Sequence, residues 1–225
     1  MIQLQHNKIL VVLSGGQDST TCLYWAIDRF GKENVTSLTF DYGQRHRIEI
    51  DCARNIAEFA AVTNVVLPID TFSALGGDAL TDSEIGVDSD VDAATRLPNT
   101  FVAGRNLIFL TFAAAFAYRH GIKHIVTGVA ETDYSGYPDC REETIRALQT
   151  AIQFGMESDV EIHTPLMHLS KKETVRLAER VGALPAMALT HTCYNGERPP
   201  CGHCPACILR AKGFEEAGVE DPLVG

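Results

Sequence analysis

Short apolar runs alternate with segments of helical spacing along most of the chain, which is the pattern of a parallel α/β sheet. The apolar runs predict five buried strands, at residues 8–13, 34–43, 63–69, 123–129 and 160–166. Apolar residues three and four positions apart predict helices between and after them, at residues 19–30, 46–60, 101–120, 141–154 and 171–182. We therefore expect an α/β fold, a doubly wound parallel sheet with helices on both faces.

Two segments interrupt this alternation. The stretch between residues 70 and 100 is rich in Asp, Ser, Gly and Thr, and loops of this length are usually functional. The C-terminal segment contains two consecutive prolines and four of the seven cysteines, which predicts a loop-rich module of a different kind. We expect an α/β domain over residues 1–189 and a small C-terminal module, packed on it, over residues 190–225.

Composition narrows the functional classes. A formal net charge of -10 over 225 residues argues against binding to a nucleic-acid backbone, which requires clustered Lys and Arg. No apolar run approaches the roughly 18 residues that a membrane span needs. The N-terminus leads directly into the first strand, without the apolar region of a signal peptide. We expect a cytoplasmic protein that acts on small molecules and binds neither nucleic acid nor a membrane.

The turn after the first strand has the composition of an anion-binding loop. Residues 14–20, the anion loop, read Ser-Gly-Gly-Gln-Asp-Ser-Thr. Backbone N–H groups in such a turn bind phosphate together with the dipole of the following helix, although neither GxxxxGK[ST] nor GxGxxG is present. Asp18 is unusual here unless a divalent cation such as Mg²⁺ lies between its carboxylate and a phosphate. A tight turn whose polar residues only cap the helix is the alternative.

Four cysteines near the C-terminus follow the pattern C-x7-C-x2-C-x2-C. Four thiolates satisfy tetrahedral Zn²⁺, and the intervening Gly and Pro residues permit the tight turns. The predicted ligands are Cys193, Cys201, Cys204 and Cys207. Disulfides or free thiols are the alternative, which a reducing compartment disfavours. Since four thiolates close the coordination shell, we expect a structural zinc, with His191 and His203 as surplus neighbours.

Polar segments follow the second and fourth predicted strands, and another opens the helix predicted at residues 101–120. These segments supply candidate ligand contacts, because ligands of open α/β sheets bind at the carboxyl ends of the strands. They lie in residues 41–46, 100–106 and 127–141. The candidate side chains are Tyr42, Arg45, Arg105, Asn106, Glu131, Asp133, Tyr137, Asp139 and Arg141. For any single residue of this set, a solvated loop or a buried ion pair is an equal alternative.

The anion loop resembles the PP-loop of the ATP pyrophosphatase superfamily, whose members cleave ATP between its α- and β-phosphates. The order SGGQDSTT, DYGQRH, FVxGRN, GVxETDxSGYPDCR, TPL and CYNG…CGHCxAC is similar to that of the 7-cyano-7-deazaguanine synthase family, from about residue 8 to residue 210. The resemblance implies a Rossmann-like (adenine nucleotide alpha hydrolase-like) fold, with ATP, Mg²⁺ and Zn²⁺ as cofactors. It also implies a homodimer.

The same resemblance implies roles for individual residues. ATP would be bound by the loop and the start of its helix, at Leu13, Ser14, Gly15, Gly16, Gln17, Asp18, Ser19, Thr20, Thr21, Cys22 and Leu23. Catalytic roles are implied for Asp18, Ser19, Arg105 and Lys171. The nine polar candidates named above would contact the second substrate. One departure is Ala103, where the family usually has Pro, and it implies a softer loop because Ala frees φ.

The implied reaction converts 7-carboxy-7-deazaguanine and ammonia into 7-cyano-7-deazaguanine in queuosine biosynthesis, a ligase reaction that forms C–N bonds. ATP adenylates the carboxylate, ammonia displaces AMP to give an amide, and a second adenylation followed by loss of AMP gives the nitrile. These steps require positioning and charge stabilisation more than covalent catalysis by the protein. Cys140, beside Arg141, is the one candidate for a thiol nucleophile.

Two other functions compete with this interpretation. A tRNA-modifying PP-loop enzyme would adenylate a base carbonyl, but it would require an RNA-binding extension or a basic patch. A zinc-ribbon binding module on an inert α/β scaffold would leave the anion loop without a purpose.

Overall fold

The computed structural model describes residues 8–44, 47–75, 78–81, 97–131 and 137–224. Its centre is a five-stranded sheet in the order β3-β2-β1-β4-β5, and every pairing is parallel. The strands are β1 (Ile9–Val12), β2 (Val35–Asp41), β3 (Thr63–Pro68), β4 (His124–Val126) and β5 (Glu161–His163). The predicted fold class, a doubly wound parallel α/β sheet, is confirmed.

Helices cover both faces of the sheet. They are α1 (Gln17–Phe30), α2 (Ile48–Phe59), α3 (Thr71–Leu75), α4 (Arg105–Arg119), α5 (Glu142–Gly155), α6 (Lys171–Arg180), α7 (Leu184–Met187) and α8 (Pro205–Ala217). Helices α1, α2 and α6 bury their apolar residues against one face, and α3, α4 and α5 bury theirs against the other. Among the described residues, no helix combines the length and hydropathy that a transmembrane span requires.

Strand β1 is apolar on both faces because helices cover both faces of the sheet. In β1, Ile9 and Val11 point to the core under α1 and α2, whereas Leu10 points to the core under α4 and α5. These three side chains have no exposed surface, and full burial of such a side chain contributes about 1.5–3 kcal/mol. The central strand β1 therefore packs against both helical layers.

Several boundaries differ from those that the sequence predicts. The helix predicted at 101–120 begins at Arg105, because Gly104 adopts a left-handed φ of +71° and Val102 accepts a hydrogen bond from the Arg105 N–H. Ala103 lies exposed in this turn. The predicted strands 123–129 and 160–166 end at Val126 and His163, where the chain leaves the sheet. After β4, residues 127–129 instead form a loop that lines the cavity of the candidate site.

The prediction of a loop-rich C-terminal segment is wrong for α8. Pro205 stands at the first helical position, where its missing N–H costs nothing, so it starts the helix and does not break it. The apolar stripe of α8 is obscured in the sequence, since Arg210 and Gly213 occupy its buried face. Gly213 allows close packing on α6: a Cβ there would lie 2.9 Å from Cβ of Lys171.

A buried ion pair joins α8 to the rest of the chain. The Arg210 guanidinium makes two hydrogen bonds to the Asp221 carboxylate, at 2.7 and 2.8 Å, and only 4% and 8% of the two side chains are exposed. Arg210 also donates to the hydroxyls of Thr190 and Thr192 and to the Met187 carbonyl. This set uses every N–H of the guanidinium, as a buried charge requires.

We predict that Asp221→Asn destabilises the protein by about 3–5 kcal/mol, because it leaves the Arg210 charge buried without a counter-ion. Urea unfolding followed by circular dichroism measures the change. Arg176→Gln is the matched control, since its ion pair with Glu179 lies on the surface with about half of each side chain exposed, and it should change the stability by less than about 0.5 kcal/mol. Equal effects of the two substitutions would contradict the role of Arg210.

Candidate functional site

A cavity of about 890 Å³, the main cavity, opens at the carboxyl end of the sheet where β1 and β4 lie side by side. The sheet order places β2 on one side of β1 and β4 on the other, so the connections diverge at this point. Ligands of open α/β sheets bind at such a point. The residues after β1 and β4 line the cavity: Leu13, Ser14, Gly16, Gln17, Asp18, Ser19, Thr127, Gly128, Val129 and Ala130.

Two glycines let the backbone segments around the anion loop approach one another. Gly15 has a φ of +88°, and a Cβ there would lie 2.3 Å from the carbonyl oxygen of Glu49 in α2. A Cβ on Gly128, after β4, would lie 3.1 Å from the backbone nitrogen of Ser19. The contact at Gly15 leaves no room for a side chain, and the contact at Gly128 is tighter than an ordinary van der Waals contact. Sequence analysis missed Gly128, because nothing in its local sequence indicates the approach.

The start of α1 presents backbone groups to the main cavity. No side chain among the described residues caps this helix, whose N-cap is Gly16. The Ser14 and Ser19 hydroxyls lie 3.0 Å apart, and the Thr20 hydroxyl donates to the Gly16 carbonyl at 2.8 Å, so these groups hold the turn itself. The backbone N–H groups of the first helical turn and the positive end of the helix dipole therefore face the main cavity.

Asp18 and Lys171 form an ion pair at the edge of this loop. The Lys171 Nζ lies 2.7 Å from Oδ2 of Asp18, although 153 positions separate the two residues in the chain. The other carboxylate oxygen, Oδ1 of Asp18, is buried and has no hydrogen-bond partner among the described residues. Nε2 of Gln17 is likewise buried and without a hydrogen-bond partner in this part of the structure. A buried polar atom without a partner costs about 1–3 kcal/mol, so a native structure that keeps one calls for an explanation.

Arg105 enters the main cavity from the start of α4. Its guanidinium donates to the Tyr42 hydroxyl at 3.3 Å and lies 5.9 Å from the centre of the Tyr42 ring. Burial raises the pKa of Tyr42 to about 12, although the Arg105 charge opposes this, so the phenol is neutral at physiological pH. The predicted substrate contacts Tyr42 and Arg105 are thus brought together on one wall.

Glu49, in the first turn of α2, lines the same wall and was missed by sequence analysis. Burial raises the pKa of its carboxyl from 4.5 to about 7, with the Arg105 charge acting in the opposite direction. In the sequence, Glu49 is visible only as one acidic residue of the helix predicted at 46–60, and nothing there sets it apart from other acidic residues of helices. The tertiary structure makes it the titratable carboxyl of the cavity with a pKa near neutrality.

Asn106 is fixed by the turn that precedes α5. Its backbone N–H and its side-chain amide both donate to Oδ2 of Asp139, at 3.0 and 3.1 Å, so Asp139 caps α4 from the side. The amide also lies 3.4 Å from the Cys140 sulfur, which is 3.8 Å from the other Asp139 oxygen.

The remaining predicted substrate contacts are divided among other places. Tyr137 lines the main cavity, and its hydroxyl lies 2.6 Å from that of Thr100. Glu131 and Arg141 line a smaller neighbouring cavity of about 310 Å³, where Oε1 of Glu131 accepts a hydrogen bond from the first N–H of α5. Two predicted contacts lie outside the described residues: Arg45 and Asp133.

Four of the predicted ATP-binding positions face the protein interior. They are Thr20, Thr21, Cys22 and Leu23. Thr20 and Thr21 donate to carbonyls one turn earlier in α1, and Cys22 and Leu23 belong to the core under that helix. Their side chains therefore support the anion loop from behind.

The four C-terminal cysteines come together as the sequence pattern predicts. The sulfur atoms of Cys193, Cys201, Cys204 and Cys207 all lie within 4.8 Å of one another. Cys204 and Cys207 are placed by the start of α8, and the Cys204 N–H donates to the Cys201 sulfur at 3.3 Å. Four sulfurs at this spacing could hold one metal ion.

The cysteine cluster is tied to the anion loop through His191. The His191 N–H donates to the Gly15 carbonyl at 2.9 Å, and its Nε2 lies 2.9 Å from the Cys193 carbonyl oxygen. His191 also lines the main cavity, together with Tyr194 and Arg210 of the same segment. The C-terminal segment is therefore one wall of the cavity.

The sequence comparisons with known proteins agree on one family. A family model described as queuosine biosynthesis protein QueC matches residues 8–218. A relative from Chromobacterium violaceum, named 7-cyano-7-deazaguanine synthase, is 68% identical over 100% of this chain and 96% of its own length. A relative of the same name from Laribacter hongkongensis is 66% identical over 96% of this chain and 93% of its own. Among solved structures, an NH3-dependent NAD synthetase from Campylobacter jejuni aligns with a TM-score of 0.47 and 15% identity, covering 80% of this chain and 66% of that one.

The raised pKa of Glu49 predicts a pH-dependent effect of Glu49→Gln. In wild type the folded protein resists ionisation of Glu49, so the stability that the protonated carboxyl provides is present at low pH and is lost as the pH rises through about 7. Gln cannot ionise. The variant should be more stable than wild type by about 1–3 kcal/mol near pH 8.5, and by less than about 1 kcal/mol near pH 5.

Urea unfolding at the two pH values, without nucleotide, measures this difference. Glu58→Gln, at an exposed position of the same helix, controls for the loss of one negative charge. An equal pH dependence in both variants would contradict the assignment.

Proposed function

We propose that this chain, which belongs to the family of queuosine biosynthesis protein QueC, uses its main cavity to make a nitrile from a carboxylic acid at the expense of ATP. Like its relatives, the chain is an enzyme of the ligase type, and it has the nucleotide-binding PP-loop fold. The substrates are small molecules. In queuosine biosynthesis the acid is 7-carboxy-7-deazaguanine and the product is 7-cyano-7-deazaguanine.

The reaction balances with two ATP. The first adenylation moves AMP onto the carboxylate oxygen and releases pyrophosphate, and ammonia then forms the C–N bond as AMP leaves with that oxygen. The second adenylation takes place on the amide oxygen. Loss of AMP and of the two nitrogen protons gives the nitrile. Both carboxylate oxygens thus leave on AMP, because neither hydroxide nor oxide leaves unaided.

The observation that carries this proposal is the uncapped start of α1 beside an unsatisfied carboxylate oxygen. The N–H groups of this turn would hold the pyrophosphate that leaves, in place of the lysine of other phosphate loops. Mg²⁺ fits here, since Oδ1 of Asp18 is a buried oxygen without a partner among the described residues and Mg²⁺ prefers oxygen ligands. When bound, Mg²⁺ supplies neutralisation of the phosphate charge. Lys171, paired with Asp18, lies where it can also approach a phosphate.

The far wall of the main cavity would hold the deazaguanine. Phe109 meets Tyr42 edge to face, with ring centres 5.1 Å apart, and both line the cavity as an aromatic wall against which a flat heterocycle can pack. Arg105 would hold the substrate carboxylate and later stabilise the negative charge that develops on the carbonyl oxygen when ammonia adds to the acyl adenylate. The nearby Glu49, with a pKa near 7, would take a proton from the incoming ammonia nitrogen.

The residues assigned above by resemblance remain part of the proposal. ATP would contact the anion loop through Leu13, Ser14, Gly16, Gln17, Asp18 and Ser19, and Gly15 through its backbone. Asn106, Tyr137 and Asp139 would orient the second substrate directly or by holding one another. Glu131 and Arg141, in the adjoining cavity, would act at its entrance.

We further propose that the four cysteines bind a structural Zn²⁺. Their soft thiolates and mutual spacing suit zinc, and four of them leave no open position. The proposed division into residues 1–189 and 190–225 then follows the part of the chain that the metal organises. That C-terminal part completes the wall of the main cavity through His191 and Arg210.

The proposed assembly is a cytoplasmic homodimer that acts without nucleic acid. The net charge of -10 supports the last point, because a polyanion would be repelled. Exposed aromatic side chains on two adjacent helices support the dimer: Tyr118 of α4 is 61% exposed and Phe154 of α5 is 81% exposed.

If one site performs both adenylations, each nitrile formed will consume two ATP and release two AMP and two pyrophosphate. Supplying the 7-amido compound directly should halve the ATP consumed and remove the need for ammonia. Asp18→Asn should lower both half-reactions by about 100-fold or more, because each expels pyrophosphate beside this carboxylate. Chromatography of nucleotides and deazapurines measures both quantities.

Asp28→Asn, an exposed exchange on α1, is the control and should leave both rates unchanged. Release of ADP and phosphate would contradict cleavage at the α-phosphorus. Loss of amidation with intact amide dehydration in Asp18→Asn would require a second nucleotide site.

The zinc proposal predicts one ion at the cysteine cluster. Cys204→Ser should remove this ion and lower the melting temperature together, because metal binding is coupled to folding of the segment. Cys140→Ser is the matched control, since Cys140 lies outside the cluster and should retain the metal. Elemental analysis and thermal unfolding check both variants, and a metal-free Cys204→Ser protein of unchanged stability would contradict the structural role.

A further inference from the structure

A second group of metal-ligating side chains lies away from the main cavity, at the edge of the sheet. His124 is the first residue of β4, and Glu161 and His163 are the ends of β5, the outermost strand. Alternation along the strands places all three on the face that α1 covers, since Val126 belongs to the core under α1 whereas Ile125 and Ile162 belong to the opposite core. The group contacts neither the anion loop nor the cysteines.

The donor atoms of this group converge. Nδ1 of His124 lies 3.1 Å from Nε2 of His163 and 3.4 Å from Oε2 of Glu161. Nε2 of His163 lies 3.9 Å from Oε2 of Glu161. Zinc bonds of about 2.0–2.1 Å to nitrogen and oxygen give a tetrahedron with edges of about 3.3 Å. The three separations therefore approximate one face of such a tetrahedron, and small side-chain movements complete the fit.

The surroundings hold the two imidazoles in place. The His163 ring packs on Trp25, with centres 5.9 Å apart, and the His124 ring packs on Phe30 at 5.3 Å. Both aromatic residues belong to the last turns of α1, whose carboxyl end favours a cation. The Glu161 side chain is 59% exposed, so solvent reaches the group and can supply a fourth ligand.

We propose that His124, Glu161 and His163 form a second metal site, which binds a divalent transition-metal ion such as Zn²⁺ with one position left to water. Two imidazoles and a carboxylate with an open position are a ligand set that zinc uses readily. Binding fastens the edge strand β5 to β4, where the His163 carbonyl already accepts the Thr127 N–H at 3.1 Å. Because Thr127 lines the main cavity, the ion would also stiffen the β4 end of that cavity.

The test counts zinc ions in the untagged full-length chain. Protein is incubated with excess Zn²⁺, freed of unbound metal by gel filtration and analysed by mass spectrometry of the elements. We expect two ions per chain in wild type and one in the double variant His124→Gln, His163→Gln. The control double variant His120→Gln, His168→Gln removes two exposed histidines from elsewhere and should retain two ions.

Cys204→Ser separates the two sites, because it should lose the cysteine-bound ion and retain the other. Titration with Co²⁺ distinguishes them by spectrum: only the cysteine site gives thiolate-to-cobalt charge-transfer absorption. Glu161→Gln should weaken binding of the second ion by at least about tenfold. A single wild-type ion at saturating Zn²⁺ that is lost in Cys204→Ser, or two ions in the His124→Gln, His163→Gln variant, would overturn the proposal.

Discussion

The close approach of three backbone segments at Gly15 is the constraint on which the site depends. Because Gly15 has no side chain, the Glu49 carbonyl oxygen can approach it closely; a Cβ on Gly15 would lie only 2.3 Å from that oxygen. The Gly15 carbonyl in turn accepts the N–H of His191 at 2.9 Å. The start of α2 and the C-terminal segment are thereby fixed against the end of β1. A cavity with a carboxyl from one segment and an imidazole from the other follows from this contact.

The C-terminal segment is part of the same construction. Its helix α8 is held by the buried pair of Arg210 and Asp221, and the guanidinium also donates to the hydroxyls of Thr190 and Thr192 in the preceding segment. Short segments without a large core need such cross-links. The part of the chain that carries the cysteine cluster therefore contributes to the main cavity by position.

Charge in the main cavity is balanced locally although the whole chain carries -10. Lys171 pairs with Asp18 beside the anion loop, and Arg105 moderates the effect of burial on the Glu49 carboxyl. The two adenylations proposed for this cavity would require a site that accepts an anionic nucleotide, releases pyrophosphate and handles a proton near neutral pH. Lys171 at the loop and the Glu49 carboxyl, whose pKa is raised, would serve these requirements as separate groups.

The sequence by itself determined what depends on neighbouring residues: the alternation of strands and helices, the position of the anion loop, and the four cysteines, whose spacing places the sulfur atoms together. It did not determine α8, whose buried face carries Arg210, nor the contacts of Glu49 and Gly128, because their partners lie on other segments. Lys171 meets Asp18 across 153 positions, and only the completed sheet brings α6 to α1. Periodicity and turn chemistry are local properties, whereas burial, pKa and close backbone approach arise only when distant segments pack.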